Sequence, residues 1–422
     1  MKSLNHILPK ITFVCIVVAS FFLPIKTSIS NIGLIGLVVT TFLSFGLNGF
    51  QKKGKLSYFI LFSPMVFFLP LLWGWLYSPV KADAWYEISK YIFLGITPLF
   101  LFRKDIAAST FRKYACYGIL SGTVLSGLFL LVLNFYNYSQ TNYPLHWLLN
   151  YTFTSFNFLS PLKDMHPIYM GMYFSMALAI LLFAKLKLSK IVQVLSFVVL
   201  TLAIVFFASR IIYAIFILLV LLYLLHNLSF KSFAVLITGV LILVVLGFNF
   251  VQKTYLYQKT VNNTIWELQE NAGTINTSKS QKVDSRWSRW QVAVETIKEK
   301  PILGYGGGAE NEILLEKYQQ YQMKNSAEMH YNAHNQFLGF FIRFGVVGTL
   351  LLLLYFVRNG ITAFKYQNLL FLCFLTILFW AFMVENILDR NMGINFVALF
   401  GTLFYAEFLA KETKNKEDEV AN

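Results

Sequence analysis

The sequence predicts an all-α, polytopic membrane protein, on three observations. Of 422 residues, 57% are hydrophobic and only 13% charged, and a soluble domain of that length needs far more polar surface. The apolar residues are gathered into repeated runs, each separated from the next by a short polar connection. The basic residues sit in those connections, as topology signals do, so a net charge of +15 reads as membrane orientation and excludes nucleic acid as a partner.

Twelve spans are expected, near residues 11–25, 29–47, 57–77, 88–102, 114–135, 167–184, 191–208, 211–225, 232–251, 336–357, 367–384 and 391–410. Lys2 and Lys10 before an apolar run resemble a secretory signal. No small-x-small cleavage site follows and another apolar run comes at once, so this stretch is read as the first span. The fourth span is short, with Glu87 and Lys90 at its edge, against the ~20 residues a span usually takes. Parity retains it. With the N-terminus in the cytoplasm, Lys52, Lys53 and Lys55, then Arg103, Lys104, Arg112 and Lys113, then Lys185, Lys187 and Lys190, then Lys231, then Arg358 and Lys365 all fall inside, as does the tail from Lys411. Losing the fourth span breaks that agreement.

From Ile191 to Leu225 the only charge is Arg210. One straight helix of that length would be ~50 Å long against a ~30 Å hydrocarbon core, so two spans with Arg210 at an outer hairpin tip are expected. Cys15, Cys116 and Cys373 lie in apolar runs and read as small core residues with neither disulfide nor metal spacing. The chain therefore divides into spans one to nine (1–251), an outer loop (252–335), spans ten to twelve (336–410) and a cytoplasmic tail (411–422).

Two stretches are expected on the outer face. One runs from Tyr136 to His166, ending in DMHPIYMGMY. The other is the long loop after Gln252. In it, Asp284 or Ser285 can cap a helix that carries Trp287, Trp290, Val294 and Ile297 along one face and is closed by Lys300-Pro301. A second helix is expected from about Ala309 to Lys324. The densest chemistry lies between Asp284 and Gly345, as DSRWSRWQVAVETIKEKPILGYGGG and then HYNAHNQFLGFFIRFG.

Each candidate in these stretches has a bland reading beside a functional one. Arg210 is either a boundary residue reaching for water or a fixed cation for a lipid-linked anion. Arg286 and Arg289, three apart on a helix, form either a solvated basic face or a bidentate diphosphate clamp at the membrane interface. Gly304, Gly306, Gly307 and Gly308 precede a helix and read better as a plain turn than as a phosphate cradle, since no Lys-Ser ending follows. His334 begins HNQFL where the loop returns to the membrane, and a histidine there can act as general base; by chemistry His330 is an equal candidate. His166 reads as a span start or a second outer histidine. Arg343 is the main charge deep in a span, and Glu385, Asp389 and Arg390 form an outer cluster expected to pair with it. No HExxH, nucleotide loop, GxSxG or Cys/His metal constellation is present, and no buried acidic relay of the kind ion-coupled transporters use.

In order along the chain come Ser209-Arg210 at an outer span end, the large loop between spans nine and ten, SRW followed by a second Trp, PILGYG, and HNxxL followed by Gly345. With twelve spans, this ordered set resembles the O-antigen ligase/polymerase superfamily of bacterial membrane glycosyltransferases. The resemblance covers most of the chain, although its specific motifs are confined mainly to the stretch from Asp284 onward. It implies the C-type glycosyltransferase architecture in the inner membrane and catalysis without metal or cofactor. The implied donor is a glycan on undecaprenyl diphosphate at the periplasmic face, and the acceptor lipid A-core for a ligase or a second lipid-linked glycan for a polymerase, with ligase ranked first. Carried over, Arg210, Arg286 and Arg289 hold the diphosphate, while His334, matching the family's HNxxL histidine, activates the acceptor hydroxyl. The competing class is a lipid-linked glycan flippase or transporter. It would need a basic route across the membrane, whereas here the basic residues stop at the two faces.

Overall fold

The computed structural model describes residues 2–51, 63–265 and 285–404, and among them every regular element is helical. The helices that organise the chain are α1 (Lys2–Phe21), α2 (Thr27–Asn48), α3 (Leu69–Tyr77), α4 (Lys81–Ile96), α5 (Ala108–Ser139), α6 (Pro167–Phe183), α7 (Lys190–Phe207), α8 (Arg210–Asn227), α9 (Phe230–Val251), α10 (Arg286–Glu299), α11 (Glu310–Gln320), α12 (Gln336–Lys365), α13 (Leu369–Phe382) and α14 (Asn391–Leu403). Among the described residues α2, α5, α7, α8 and α12 are long and apolar enough to cross a membrane, and shorter apolar helices accompany them. This is consistent with a polytopic membrane protein. Lys52, Lys53 and Lys55, the start of the third expected span, Asp284 and the tail lie outside the described residues.

By packing, the chain forms two units, one of Met1–Gly118 with Asn271–Asn422 and the other of Ile119–Glu270. In the second unit α6 is the hub. Pro167 to Ile180 is buried all round, as expected of a helix with no polar face. Both α7 and α8 pack on it, and Ile212 of α8 presses so closely on Gly171 that a Cβ there would lie 2.4 Å from its side chain. The apolar run around Arg210 is two helices. Helix α7 ends at Phe207, Ala208 takes a left-handed turn (φ +50°), and α8 starts at Arg210.

In the first unit α1 and α2 pack through small residues. Gly33 lies against the Ala19 backbone, and Ser30 Oγ donates to the Ala19 carbonyl at 2.7 Å. Arg103, counted above among the cytoplasmic topology charges, is in fact 1% exposed. Its Nε and Nη2 donate to Asp105 at 2.9 and 2.5 Å, and Nη1 donates to Thr12 Oγ1 at 2.8 Å. Ser44 Oγ adds a 2.6 Å bond to Asp105. Burial raises the Asp105 carboxyl's pKa, but hydrogen bonds from Arg103 and Ser44 prevail and hold it below its ordinary value. Arg103 is thus a buried staple at the connection after α4.

The described part of the loop expected over 252–335 has its own core. Val292, Ala293 and Ile297 of α10 pack with Tyr305, Ala309, Leu314, Tyr318 and Ile342. At ~1.5–3 kcal/mol for each fully buried large apolar side chain, this core is what fixes α10 in place. Ser285 Oγ caps α10 by accepting from Ser288 N at 3.1 Å. The apolar face differs from the expected stripe. The face turned to the core carries Arg289, Val292, Ala293, Thr296 and Ile297, whereas Trp287 and Val294 are exposed. Packing against Tyr305 and Tyr318 outweighs the tryptophan periodicity. The second helix is also shorter than expected: α11 stops at Gln320, Gln322 turns left-handed (φ +55°), and a separate turn of helix follows over Lys324–Glu328.

Helix α12 is broken at Gly345, whose φ of +62° and ψ of −161° leave the helix. A Cβ there would fall 2.1 Å from the Ile302 carbonyl oxygen, so only glycine fits. The break releases the Ile342 and Arg343 carbonyls, which accept from Tyr305 N and Gly306 N, each at 2.8 Å, while Val346 N donates to the Pro301 carbonyl at 2.8 Å. The PILGYG segment is stitched to α12 by its backbone.

Candidate functional site

His334 sits in the turn that enters α12. Its φ is +46°, a left-handed conformation that a non-glycine residue holds only when its surroundings impose it. Here they do. Glu310 Oε1 accepts from Ala333 N at 3.1 Å, the Ala333 carbonyl accepts from Trp290 Nε1 at 3.0 Å, and Asn332 Oδ1 accepts from His334 N at 3.0 Å. Asn335 caps α12, its Oδ1 accepting from Phe337 N and Leu338 N, while Asn335 N donates to Asn386 Oδ1 at 2.9 Å. The imidazole is partly exposed, with Nδ1 3.2 Å from Glu385 Oε2. The Tyr331 ring lies edge-on, 5.2 Å away.

The turn rests on a buried charge cluster. Arg343 is 1% exposed; its Nη1 lies 2.9 Å from Glu87 Oε1 and 3.2 Å from Asp389 Oδ1, and its Nε lies 3.3 Å from Glu310 Oε2. The expected pairing of Arg343 with the outer acidic cluster is therefore divided. Asp389 joins it, Glu385 goes to His334, and Glu87 and Glu310 supply the other carboxylates. Glu87 and Glu310 were not singled out as functional in the sequence, since each is one glutamate among several and nothing local marks it. Burial pushes the Glu310 carboxyl up to about 7; Arg343 opposes the rise and Asp389 adds to it. Asn386, 0% exposed, ties cluster to turn: its Nδ2 donates to Glu310 Oε1 at 2.8 Å and to Asp389 Oδ2 at 3.1 Å. Among the described residues no three His, Cys, Asp or Glu side chains are grouped to hold a metal ion. These carboxylates converge on a guanidinium instead.

The two loop arginines differ. Arg289 is buried, with its guanidinium carbon 4.7 Å from the centre of the Tyr331 ring, a cation–π contact that puts it one aromatic ring from His334. Arg286, one turn earlier, is half-buried. His330 is exposed and also left-handed (φ +48°). The structure brings His334, and not His330, to a carboxylate.

The glycine cluster is a packing turn. Gly306 N and Gly307 N donate to the Arg343 and Gly74 carbonyls, and Gly308 N donates to Glu87 Oε2 at 2.9 Å. The N–H groups that would cradle a phosphate are already engaged. Gly306 (φ +101°) has no room for a Cβ, which would lie 2.5 Å from Ser78 Cα.

In the second unit Arg210 is the first residue of α8. Its Nη1 donates to Thr264 Oγ1 at 2.5 Å, and Thr264 lies just beyond a π-helical turn (Gln258–Asn262). A guanidinium that finds a polar partner in this way is positioned by the fold. His166 caps α6, its Nδ1 accepting from Ile168 N at 3.3 Å, which is the span-start reading.

Residues 195–353 match the family model described as O-Antigen ligase, and the match supports the O-antigen ligase superfamily and a function of that family in general. The matched stretch covers less than half of the chain. It contains Arg210, Arg286, Arg289, His330, His334 and Arg343, and leaves out His166 and Glu385. No curated protein is similar enough to the chain to count as a match.

Proposed function

We propose that this protein is an inverting glycosyltransferase of the O-antigen ligase kind, embedded in the bacterial inner membrane by twelve spans with both termini cytoplasmic. It moves a glycan from undecaprenyl diphosphate to a hydroxyl of lipid A-core at the periplasmic face. The observation that carries this reading is the family match over 195–353, which encloses the arginines and the histidine that such a transfer requires. His334 takes the proton of the acceptor hydroxyl, whose oxygen attacks the anomeric carbon. The bond from that carbon to the diphosphate breaks, and its electron pair leaves with the undecaprenyl diphosphate. Arg210, Arg286 and Arg289 offset the charge of the diphosphate, a task that suits the planar, permanently charged guanidinium. The glycosyl diphosphate bond supplies the driving force, so neither nucleotide nor metal takes part.

The test is transfer by the purified protein from an undecaprenyl-diphosphate-linked glycan, in EDTA and without nucleotide, with lipid A-core and a second lipid-linked glycan offered separately. Transfer to lipid A-core is expected. Chain lengthening instead would make the protein a polymerase, and donor binding with no transfer to either acceptor would favour a flippase. In the same assay His334→Ala should lose about 10²–10⁴-fold in rate, the usual contribution of a general base. Wild-type transfer by that variant removes His334 from the mechanism.

A further inference from the structure

We infer that Glu385 is a positioning residue for His334, fixing which imidazole nitrogen faces the acceptor hydroxyl. The inference rests on the proposed role of His334 and goes beyond it, since Glu385 lies outside the matched stretch.

Three features of the geometry support it. First, Glu385 Oε2 meets Nδ1 at 3.2 Å, while Oε1 accepts from Asn386 N at 3.3 Å, so the carboxyl is anchored at one oxygen and presented at the other. It is 7% exposed, and within low-polarity surroundings such a contact is electrostatically strong. Second, the bonds that shape the turn are made by other side chains. Glu310, Asn332, Asn335, Asn386 and Trp290 hold the backbone from Ala333 to Leu338, and none of those bonds passes through the Glu385 side chain. Third, Glu87, Glu310 and Asp389 already meet Arg343, so its single positive charge is more than matched without Glu385.

A carboxylate on Nδ1 makes that nitrogen the donor and leaves the Nε2 lone pair as the base. When the acceptor oxygen bonds to the anomeric carbon, its proton passes to Nε2 and the ring becomes an imidazolium whose positive charge Glu385 faces. The proton then leaves to water or to the departing diphosphate. Glu385 itself gains and loses no proton in this sequence, and it acts on the reaction through His334.

The test uses full-length protein in detergent with the undecaprenyl-diphosphate-linked glycan and the acceptor that supports transfer, comparing E385A, E385Q, H334A and H334A/E385A. Removing a carboxylate that orients a catalytic histidine costs up to about 10⁴-fold in a Ser-His-Asp triad, so E385A should lose about 10–10⁴-fold in kcat with the donor KM unchanged. E385Q has one acceptor oxygen for two donors, so with that oxygen on Asn386 N its NH2 faces Nδ1 and favours the other tautomer, and it should lose as much as E385A. In the H334A background E385A should cost nothing further, because groups acting as a unit are non-additive. Equal loss in both backgrounds, or a rise in donor KM in place of a fall in kcat, would assign Glu385 a purely structural role and overturn the inference. So would wild-type kcat in E385A beside an inactive H334A. If H334A itself transfers normally, the proposed function fails first, and the inference with it.

Discussion

Arg103 and Arg343 are equally buried, each 1% exposed, yet their surroundings differ in charge. Arg103 faces Asp105 alone, in a bidentate pair with two threonine and serine hydroxyls completing it. Charge is balanced, and the pair only holds helices and the connection after α4 together. Arg343 faces Glu87, Glu310 and Asp389, so positive charge is outnumbered. Like carboxylates cannot all ionise cheaply in such a place, and Glu310, the one that also fixes the turn before His334, is pushed up toward neutrality. A balanced buried pair changes little between pH 5 and pH 8, because its depressed carboxyl protonates only at lower pH. An unbalanced one changes more, and here it supports the candidate base.

The comparison can be broken most forcefully at Arg343. Arg343→Ala leaves three carboxylates without their counter-charge and should cost about 3–5 kcal/mol at pH 8, read by thermal unfolding in detergent. That cost should shrink at pH 5 as the carboxyls protonate; a pH-independent cost would show that charge imbalance is not what Arg343 relieves. Arg103→Lys keeps the charge but loses the fork, and should cost about 1.5–3 kcal/mol, the value of a hydrogen bond to a charged group, with little dependence on pH. A larger loss than at Arg343 would invert the contrast drawn here. The smallest effect is expected at Glu310→Gln. The raised folded-state value means that the folded protein binds this proton more tightly than the unfolded chain. Its stabilisation is therefore complete below the ordinary carboxylate range and is lost as pH rises toward about 7. The unfolding midpoint of E310Q relative to wild type should thus increase between pH 5 and pH 7.5, and a flat difference would mean that Glu310 is ionised throughout.

How far the sequence can be read follows the same division. Helices made of apolar runs are legible because period and length are local. The break after Ala208 is legible because one arginine interrupts a run too long for a single span. The glycine cluster is legible as a turn, since three of its members take positive φ. The charged interior is legible only in part: Asp389 is expected beside Arg343 and is found there, whereas Glu87 and Glu310 are not expected. Glu87, Glu310, Arg343 and Asp389 are brought together by tertiary packing across much of the chain, and no spacing rule encodes that. Glu385 is expected beside Arg343 because it belongs to the acidic and basic cluster with Asp389 and Arg390. Its real partner, His334, is set by the left-handed turn that the asparagines impose. The tryptophan stripe of α10 is legible as a periodic face; that a different face meets the core is set by Tyr305 and Tyr318, from later in the chain.

The break at Gly345 has a consequence for how the chain is made. During synthesis, residues 301–306 emerge well before residues 342–346, so their backbone groups must wait for bonding partners that do not yet exist. Gly307 must in addition find Gly74, made much earlier. The described part of this loop can therefore take its final form only after the helix that follows it has formed and bent, and the turn carrying His334 is completed by that same event. Assembly of the candidate site is a late step, made conditional on the membrane helix behind it.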